Sequence, residues 1–176
     1  MKSIKKNHSR ILAIAPSTRG FGFAVLEGQE TLVDWGVKQV KGDKNALSLV
    51  RVDELISLYY PDLVVLENTG AKNSKRAPRI RELTRNIVAL AETYDLRVKL
   101  VSRKQVRKVF FADGKGTKQA LAEMIAKRFP EDLGSRVPPK RRPWMSEDGR
   151  MDIFDAVALA LVPGLKKRRK SNERRA

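Results

Sequence analysis

Several residue types that build common catalytic sites are missing or nearly missing from this sequence. The chain of 176 residues has no cysteine, which excludes disulfide bonds and thiolate-ligated metal sites. Its single histidine, His8, lies in a basic N-terminal stretch, so a histidine zinc site or a Ser-His-Asp triad is not expected. No apolar run approaches the roughly 18 residues of a membrane span, and no signal-type segment follows the N-terminus. We therefore expect a cytoplasmic protein that does not associate with membranes.

Acidic residues are scarce relative to basic ones. The sequence has 20 Asp and Glu against 37 Lys and Arg, for a formal net charge of +17. The first ten residues carry +4 and the last twelve +6, which leaves +7 for the middle of the chain. A basic body favours a polyanionic partner, most simply nucleic acid. The alternative is that the basic ends only aid solubility or reflect ribosome-like packing.

The hydrophobic pattern predicts an α/β domain. The predicted strands are residues 11–15, 21–26, 31–40, 62–67 and 97–101. The predicted helices are residues 45–60, 79–94, 104–111, 117–129 and 151–162. Three antiparallel strands followed by alternating helices and strands indicate a mixed five-stranded sheet with helices on both faces.

The boundaries of this domain follow from composition. Residues 1–9 form a basic N-terminal extension, and residues 10–164 form the domain. We expect the dipeptide Pro163-Gly164 to end the last helix, and residues 165–176 to be a basic, disordered tail. The Pro- and Gly-rich segment 130–150 is expected to be an irregular loop.

Three acidic residues lie at the ends of predicted elements. Glu67 ends the apolar run "DLVVLE", while Asp152 and Asp155 are three residues apart and share one face of the last helix. Carboxylates without His or Cys favour Mg²⁺ or Mn²⁺, so these three residues are candidate metal ligands. The alternative is that the two aspartates only favour the helix N-terminus electrostatically. The spacing alone does not separate these explanations.

Five stretches of the chain resemble the RuvC family of Holliday-junction resolvases, within the RNase H-like superfamily. They are "ILAIAPSTRGFGFAVLEG", "DLVVLENTGAKNS", "KQVRKVF", "GTKQALAEMIAKRF" and "MDIFDAVALAL", and the resemblance runs from about residue 10 to residue 162. It implies an RNase H-like fold and a twofold dimer. It also implies symmetric cutting of four-way DNA junctions with two Mg²⁺ ions.

The resemblance also implies roles for individual residues. Glu67, Asp152 and Asp155 match three of the four family acids that are catalytic and hold the metal ions, and Lys118 matches a lysine that assists catalysis. The fourth acid, at the end of the first strand, is replaced by Ala15. A methyl group cannot ligate a metal, so cleavage is expected to be lost or reduced. The alanine is an engineered change, a natural change in a protein that binds without cutting, or a natural change in an enzyme that recruits another acid.

Basic residues near these positions are candidate DNA-binding residues. Those in or beside "KNSKRAPRIRELTR", "KQVRKVF", "GKGTK" and "PPKRRPW" are Lys72, Asn73, Lys75, Arg76, Arg79, Lys104, Arg107, Lys108, Lys115, Arg141 and Arg142. Trp144 offers a stacking surface, although packing on the domain explains it equally well. Family members often place an aromatic wedge where this chain has Gly70.

The sequence therefore predicts a RuvC-like protein that binds branched DNA in recombination and repair, as a homodimer, with Mg²⁺ as its expected cofactor. The resemblance alone places the dimer face on the helix "RIRELTRNIVALAETY". Two alternatives stay open. The first is a non-catalytic nucleic-acid-binding module, and the second is an RNase H-like protein directed at RNA.

Overall fold

The computed structural model describes residues 9–174, without the side chains of residues 167–169 and 171. Five strands form one mixed sheet in the order β3-β2-β1-β4-β5. They are β1 Arg10–Pro16, β2 Gly20–Glu27, β3 Thr31–Gln39, β4 Leu63–Glu67 and β5 Arg97–Val101. The pairs β1–β2 and β2–β3 are antiparallel, whereas β1–β4 and β4–β5 are parallel. The predicted mixed five-stranded sheet is confirmed.

Helices cover both faces of the sheet, as the sequence predicts. They are α1 Lys44–Tyr59, α2 Pro78–Thr93, α3 Arg103–Phe110, α4 Lys118–Arg128, α5 Pro130–Leu133 and α6 Met151–Glu173. Helices α1 and α2 pack on one face, against strand residues such as Leu12 and Ile14. The remaining helices pack on the other face, against the alternate residues Ala13 and Ala15. The two cores therefore use opposite faces of the same strands.

The parallel pairing of β1 and β4 brings the ends of these strands together. Ile14 is the last residue of β1 that pairs with β4, and it lies opposite Leu66. The next residues along the two strands are Ala15 and Glu67. Since side chains alternate between faces, both lie on the face covered by α6. The strand-end positions picked out in the sequence are therefore neighbours in the fold.

Two helices that begin near this edge are fixed by side-chain caps. Ser102 accepts a hydrogen bond from the backbone N–H of Gln105, whose side chain bonds back to the Ser102 N–H, which starts α3. Thr117 caps α4 in a similar way by accepting from the N–H of Ala120. Arg103 and Lys118, the first residues of these helices, are thereby placed at the edge of the sheet.

The C-terminal part of the chain differs from its prediction. The expected end of the last helix at Pro163-Gly164 is wrong, because α6 continues to Glu173. Residues 165–173 are therefore helical, whereas the sequence predicts a disordered tail there. Pro163 removes one backbone hydrogen bond, but it is buried on the sheet, and packing of this face holds the helix together across the proline.

Two further expectations concern neighbouring regions. The segment 130–150, expected to be irregular throughout, contains the short helix α5. Most of the predicted N-terminal extension, residues 1–8, lies outside the described residues, as do residues 175 and 176. Among the helices of the described chain, none combines the length and the apolar character that crossing a membrane requires.

Candidate functional site

A pocket opens at the edge of the sheet where β1 and β4 end. Ala15 and Glu67 line it, together with residues from α3, α4 and α6. Ala15 is only 4% exposed, and its methyl group belongs to the apolar core beneath the pocket. The position that the resemblance assigns to a carboxylate therefore offers no polar atom to the pocket.

Glu67 is buried and forms ion pairs with two arginines. Its Oε2 accepts a hydrogen bond from Arg76 Nε at 2.6 Å, and its Oε1 accepts one from Arg103 Nε, also at 2.6 Å. The Glu67 side chain is 8% exposed. Both carboxylate oxygens are thus held by cations of the protein itself.

Local structure explains how the two arginines reach Glu67. Arg103 is placed by the Ser102 cap at the start of α3, directly after β5. Arg76 comes from the loop between β4 and α2, which turns back on itself where the N–H of Thr69 bonds to the carbonyl of Glu67 at 3.0 Å. Each arginine therefore approaches the carboxylate from a different segment of the chain.

A second group of charges lies on the α6 side of the pocket. Oxygen atoms of Glu147, Asp152 and Asp155 lie within 4.8 Å of one another, which makes this the one group of three or more acids in residues 9–174 with spacing suited to a metal ion. Lys118 Nζ lies between two of them, at 2.7 Å from Glu147 Oε1 and 3.2 Å from Asp155 Oδ2. The acids are therefore partly neutralised by an internal ammonium group.

Burial and mutual repulsion shift the pKa values in this group. Burial raises the pKa of Asp152 to about 6, a hydrogen bond with Ser17 opposes this, and the charge of Asp155 adds to it. Burial also raises the pKa of Asp155, and Lys118 works against that rise. For Lys118, burial lowers the pKa, but the nearby Asp155 and Glu147 carboxylates outweigh it and raise the pKa overall. The three acids repel one another, and Lys118 offsets part of that repulsion.

Gly22 allows α6 to come this close to the sheet. It pairs with Ala15 across β1 and β2, and a Cβ atom there would lie 2.1 Å from the backbone oxygen of Asp152. Any side chain at this position would collide with the first turn of α6. The glycine thus positions Asp152 beside the end of β1.

The pocket has more basic than acidic side chains. Its lining has two acidic residues, Glu67 and Asp155. Its four basic residues are Arg76, Arg103, Arg107 and Lys118. A site for divalent cations needs an excess of negative oxygen ligands, whereas this lining attracts an anion.

The residues do not fit the two-ion centre that the sequence resemblance implies. Ala15 supplies no ligand, and both oxygens of Glu67 are bonded to arginines. Within the described part of the chain, the only acids with suitable spacing are Glu147, Asp152 and Asp155, and Lys118 already lies between two of these. Their carboxylate oxygens have the ligand chemistry of one Mg²⁺ or Mn²⁺ ion at most.

Of the predicted DNA-binding residues, Arg76 and Arg107 line the pocket, and the whole set differs in exposure and contacts. Exposed side chains are found at Lys72, Asn73, Lys75, Lys104, Arg107, Lys108, Lys115, Arg141 and Arg142. Arg79 instead bonds to Asn45 Oδ1 and to the carbonyl of Ser17, so it fastens the β1–β2 turn to α1 and α2. Trp144 is 76% exposed, and the Arg142 guanidinium lies 5.6 Å from its ring centre. Of the two explanations offered for Trp144, packing on the domain is therefore wrong, and the stacking surface stays a prediction.

Sequence reasoning missed two residues of the site. Glu147 lies in an irregular loop, and Arg103 was not singled out although it stands between β5 and "KQVRKVF". The signal for Arg103 was its position at the start of a helix after a parallel strand, at the same edge as Glu67. Asp34, an acid of β3, accepts a hydrogen bond from the Tyr59 hydroxyl and does not line the pocket, so it does not substitute for an acid at position 15.

Solved structures with the same fold include a RuvC protein and a Holliday junction resolvase. The chain matches Thermus thermophilus RuvC (18% identity, TM-score 0.66, covering 92% of this chain and 96% of that chain). The same protein in complex with a Holliday junction substrate matches with 19% identity and a TM-score of 0.68, over 93% of this chain and 97% of that chain. The yeast mitochondrial Holliday junction resolvase Ydc2 matches with 18% identity and a TM-score of 0.59, over 96% and 85% of the two chains. No family profile and no curated protein matches the sequence. The chain therefore has a RuvC-like, RNase H-like fold.

Proposed function

We propose that this chain binds four-way DNA junctions with a RuvC-like domain and, with Ala15 in place, does not cleave them at a RuvC-like rate. The observation that carries the proposal is the composition of the pocket at the ends of β1 and β4. Glu67, Asp155 and Lys118, which the resemblance assigns to the site, all line this pocket, but Ala15 supplies no acid at the end of β1 and Glu67 is paired with two arginines.

Shape and charge support junction binding. The similar Thermus protein has been solved with a Holliday junction, and its fold covers nearly all of this chain. The net charge of +17 supplies attraction to phosphate groups without reading base sequence. Selectivity for branched DNA would then come from the shape of the junction, and the pathway served would be recombination and repair.

Loss of cleavage follows from the residues at the pocket. Metal-dependent nucleases hold the attacking water and the scissile phosphate with ions bound to several carboxylates. Removing one well-placed group that stabilises a transition state already lowers rates by about 10²–10³. Here a ligand is missing at Ala15, and Glu67 is engaged elsewhere, so a larger loss is expected. Magnesium or manganese remains a prediction confined to Glu147, Asp152 and Asp155.

Two parts of the proposal rest on the resemblance alone. A homodimer would place two pockets symmetrically on a four-way junction, which has matching arms. A cytoplasmic location suits a DNA-binding protein. We propose both without a further observation from the fold.

The test measures binding and cleavage of a labelled four-way junction, a linear duplex of the same arm sequences, and an RNA–DNA hybrid. The chain should bind the junction at least about tenfold more tightly than the duplex, a free-energy difference of about 1.4 kcal/mol. No product should form with Mg²⁺ or Mn²⁺. Ala15→Asp and its neutral control Ala15→Asn are measured alongside. Product from Ala15→Asp alone would assign the loss of cleavage to the missing carboxylate, and equal affinity for all three nucleic acids would contradict the proposal.

A further inference from the structure

The two arginines at Glu67 use only part of their hydrogen-bonding capacity. Each donates its Nε–H to one oxygen of Glu67, and within residues 9–174 the terminal Nη groups of both have no protein partner. The Arg103 side chain is 50% exposed and that of Arg76 is 22% exposed, so the unused donors remain accessible from the pocket. Each guanidinium group is therefore oriented by the bond from its Nε–H to Glu67, while its Nη donors stay available to a ligand.

Glu67 acts as a fixed anchor for these two groups. The Glu67 side chain is 8% exposed, so it moves little, and two bonds of 2.6 Å restrict both guanidinium groups. Arginine binds phosphate oxygens through its planar set of donors, and less entropy is lost when the group is already oriented. The carboxylate at the end of β4 thus prepares its neighbours to bind an anion.

The other charged residues that line the pocket favour binding of an anion over binding of a cation. Arg107 and Lys118 add two more basic groups to the pocket, against the carboxylates of Glu67 and Asp155. The pocket carries a net positive charge at the place where the fold resemblance implies divalent ions. A phosphodiester group is the anion that the proposed function supplies.

We infer that Arg76 and Arg103, held by Glu67, form a phosphate-binding site that contacts the DNA backbone directly, in place of the metal ions that the fold implies. This inference rests on the proposed function for the identity of its ligand. Glu67 is a positioning residue in this site, since it acts through the two arginines and does not itself touch the phosphate.

The two interpretations of Glu67 predict opposite effects of removing its charge. If Glu67 is a metal ligand, its carboxylate repels DNA when no metal is present, so Glu67→Gln should bind DNA equally well or more tightly. If Glu67 anchors the arginines, the same change weakens binding. Glutamine offers only one acceptor oxygen, and its amide donors would face the second guanidinium.

The first experiment measures the dissociation constant of the four-way junction in EDTA for the native chain and for Glu67→Gln. We expect binding to weaken by about tenfold, the loss that follows from releasing one charged hydrogen-bond donor from its position. The control is Glu54→Gln, which makes the same change in charge and also releases an arginine, Arg51, from an exposed ion pair on α1. Glu54→Gln should change the affinity by less than about twofold, consistent with the small energy of exposed pairs. Unchanged or tighter binding by Glu67→Gln would overturn the inference.

A second variant keeps the test decisive if Glu67→Gln does not fold. Arg103→Gln alters a half-exposed side chain, and Arg51→Gln is its control on α1. We expect Arg103→Gln to weaken junction binding by about tenfold and to reduce the slope of log affinity against log salt by about 0.9, the value for one lost phosphate contact. An unchanged affinity and salt slope would overturn the inference.

A third measurement does not depend on junction binding. The Nε–H groups of Arg76 and Arg103 should give two arginine side-chain signals in ¹H–¹⁵N spectra that disappear in Glu67→Gln. Adding inorganic phosphate should shift both signals in the native chain, and no shift would overturn the inference. A phosphate response without preference for the junction would contradict only the proposed function. Junction binding that is indifferent to Glu67→Gln would contradict only the phosphate site.

Discussion

The two halves of this site balance their charges in opposite ways. On the β4 side, one carboxylate, Glu67, holds two guanidinium groups. On the α6 side, the three acids Glu147, Asp152 and Asp155 share one ammonium group, that of Lys118. The first half has spare positive charge and unused donors, whereas the second has spare negative charge, and the pKa values of its two aspartates are raised.

This contrast fits the proposal that Glu67 positions two arginines and does not bind a metal ion. Glu67 occupies the strand end at which the resemblance places a ligand, and its two oxygens accept hydrogen bonds from Arg76 and Arg103. Ala15 carries no charge, so the end of β1 itself contributes no carboxylate that would attract a cation. The cations at this edge of the sheet come from Arg76 in a loop and from Arg103 at the start of α3.

The largest predicted effect is a loss of stability when Gly22, which lets α6 lie close to the sheet, is replaced. Replacement by alanine places a Cβ 2.1 Å from the backbone oxygen of Asp152, so α6 must move away from the sheet. We expect the free energy of unfolding to fall by about 3 kcal/mol, the upper range for overpacking, as measured by denaturant titration. Gly70→Ala is the control, because its nearest neighbouring atom would be 3.6 Å away. Equal stability of the two variants would contradict the close contact.

A smaller effect should appear at Asp152 as a dependence of stability on pH. Its pKa is about 6 in the fold against 3.8 ordinarily, so the folded state holds more protons than the unfolded state between these values. Stability from this group is therefore lost as pH rises from about 4 to 6, and the cost persists above that range. Asp152→Asn avoids the cost and should be more stable than the native chain by about 2 kcal/mol at pH 7.5 and equal to it near pH 4.

The measurement is urea unfolding in EDTA at both pH values. The control is Asp132→Asn, an exposed aspartate of α5, which should show no difference between the two pH values. An Asp152→Asn variant that is less stable than the native chain at pH 7.5 would contradict the raised pKa.

The smallest predicted effect is a gain in Mn²⁺ affinity on the α6 side of the site when the Lys118 ammonium is removed. Lys118→Ala removes the ammonium between Glu147 and Asp155 and leaves three acids without a cation. We expect this variant to gain affinity for Mn²⁺, and its melting temperature to rise when the ion is added. At an ion concentration ten times the dissociation constant, mass action adds about 1.4 kcal/mol. The exposed Lys127→Ala on the same helix should not gain this response, and a response as large in the native chain would contradict the role assigned to Lys118.

Much of the fold could be predicted from the sequence, because its signals are local. The run "DLVVLE" has the continuous apolar character of a central parallel strand, and β5 lies where its pattern predicts. The end of α6 was not predictable from Pro163, since burial of the helix on the sheet outweighs the loss of one hydrogen bond. Tertiary packing, and not the local signal of Pro163, therefore sets the C-terminal end of α6.

The site was predictable only in part, for a related reason. Glu67, Asp152 and Asp155 stand at element ends, where the pattern of the sequence marks them. The pairing of Glu67 with Arg76 and Arg103 depends on the path of a loop and on the direction of α3, which no sequence period records. Glu147 lies in an irregular segment, so its place beside Asp152 and Asp155 follows only from the folded chain.

The most direct test of the central claim, junction binding without cleavage, uses the native chain and one labelled four-way junction, in Mg²⁺ and in EDTA. We expect the dissociation constant to agree within about twofold in the two conditions, since the contacts come from the protein's own cations at equal ionic strength, and the DNA to remain intact in both. Symmetric cleavage products in Mg²⁺ would contradict the account. So would junction binding that requires the divalent ion.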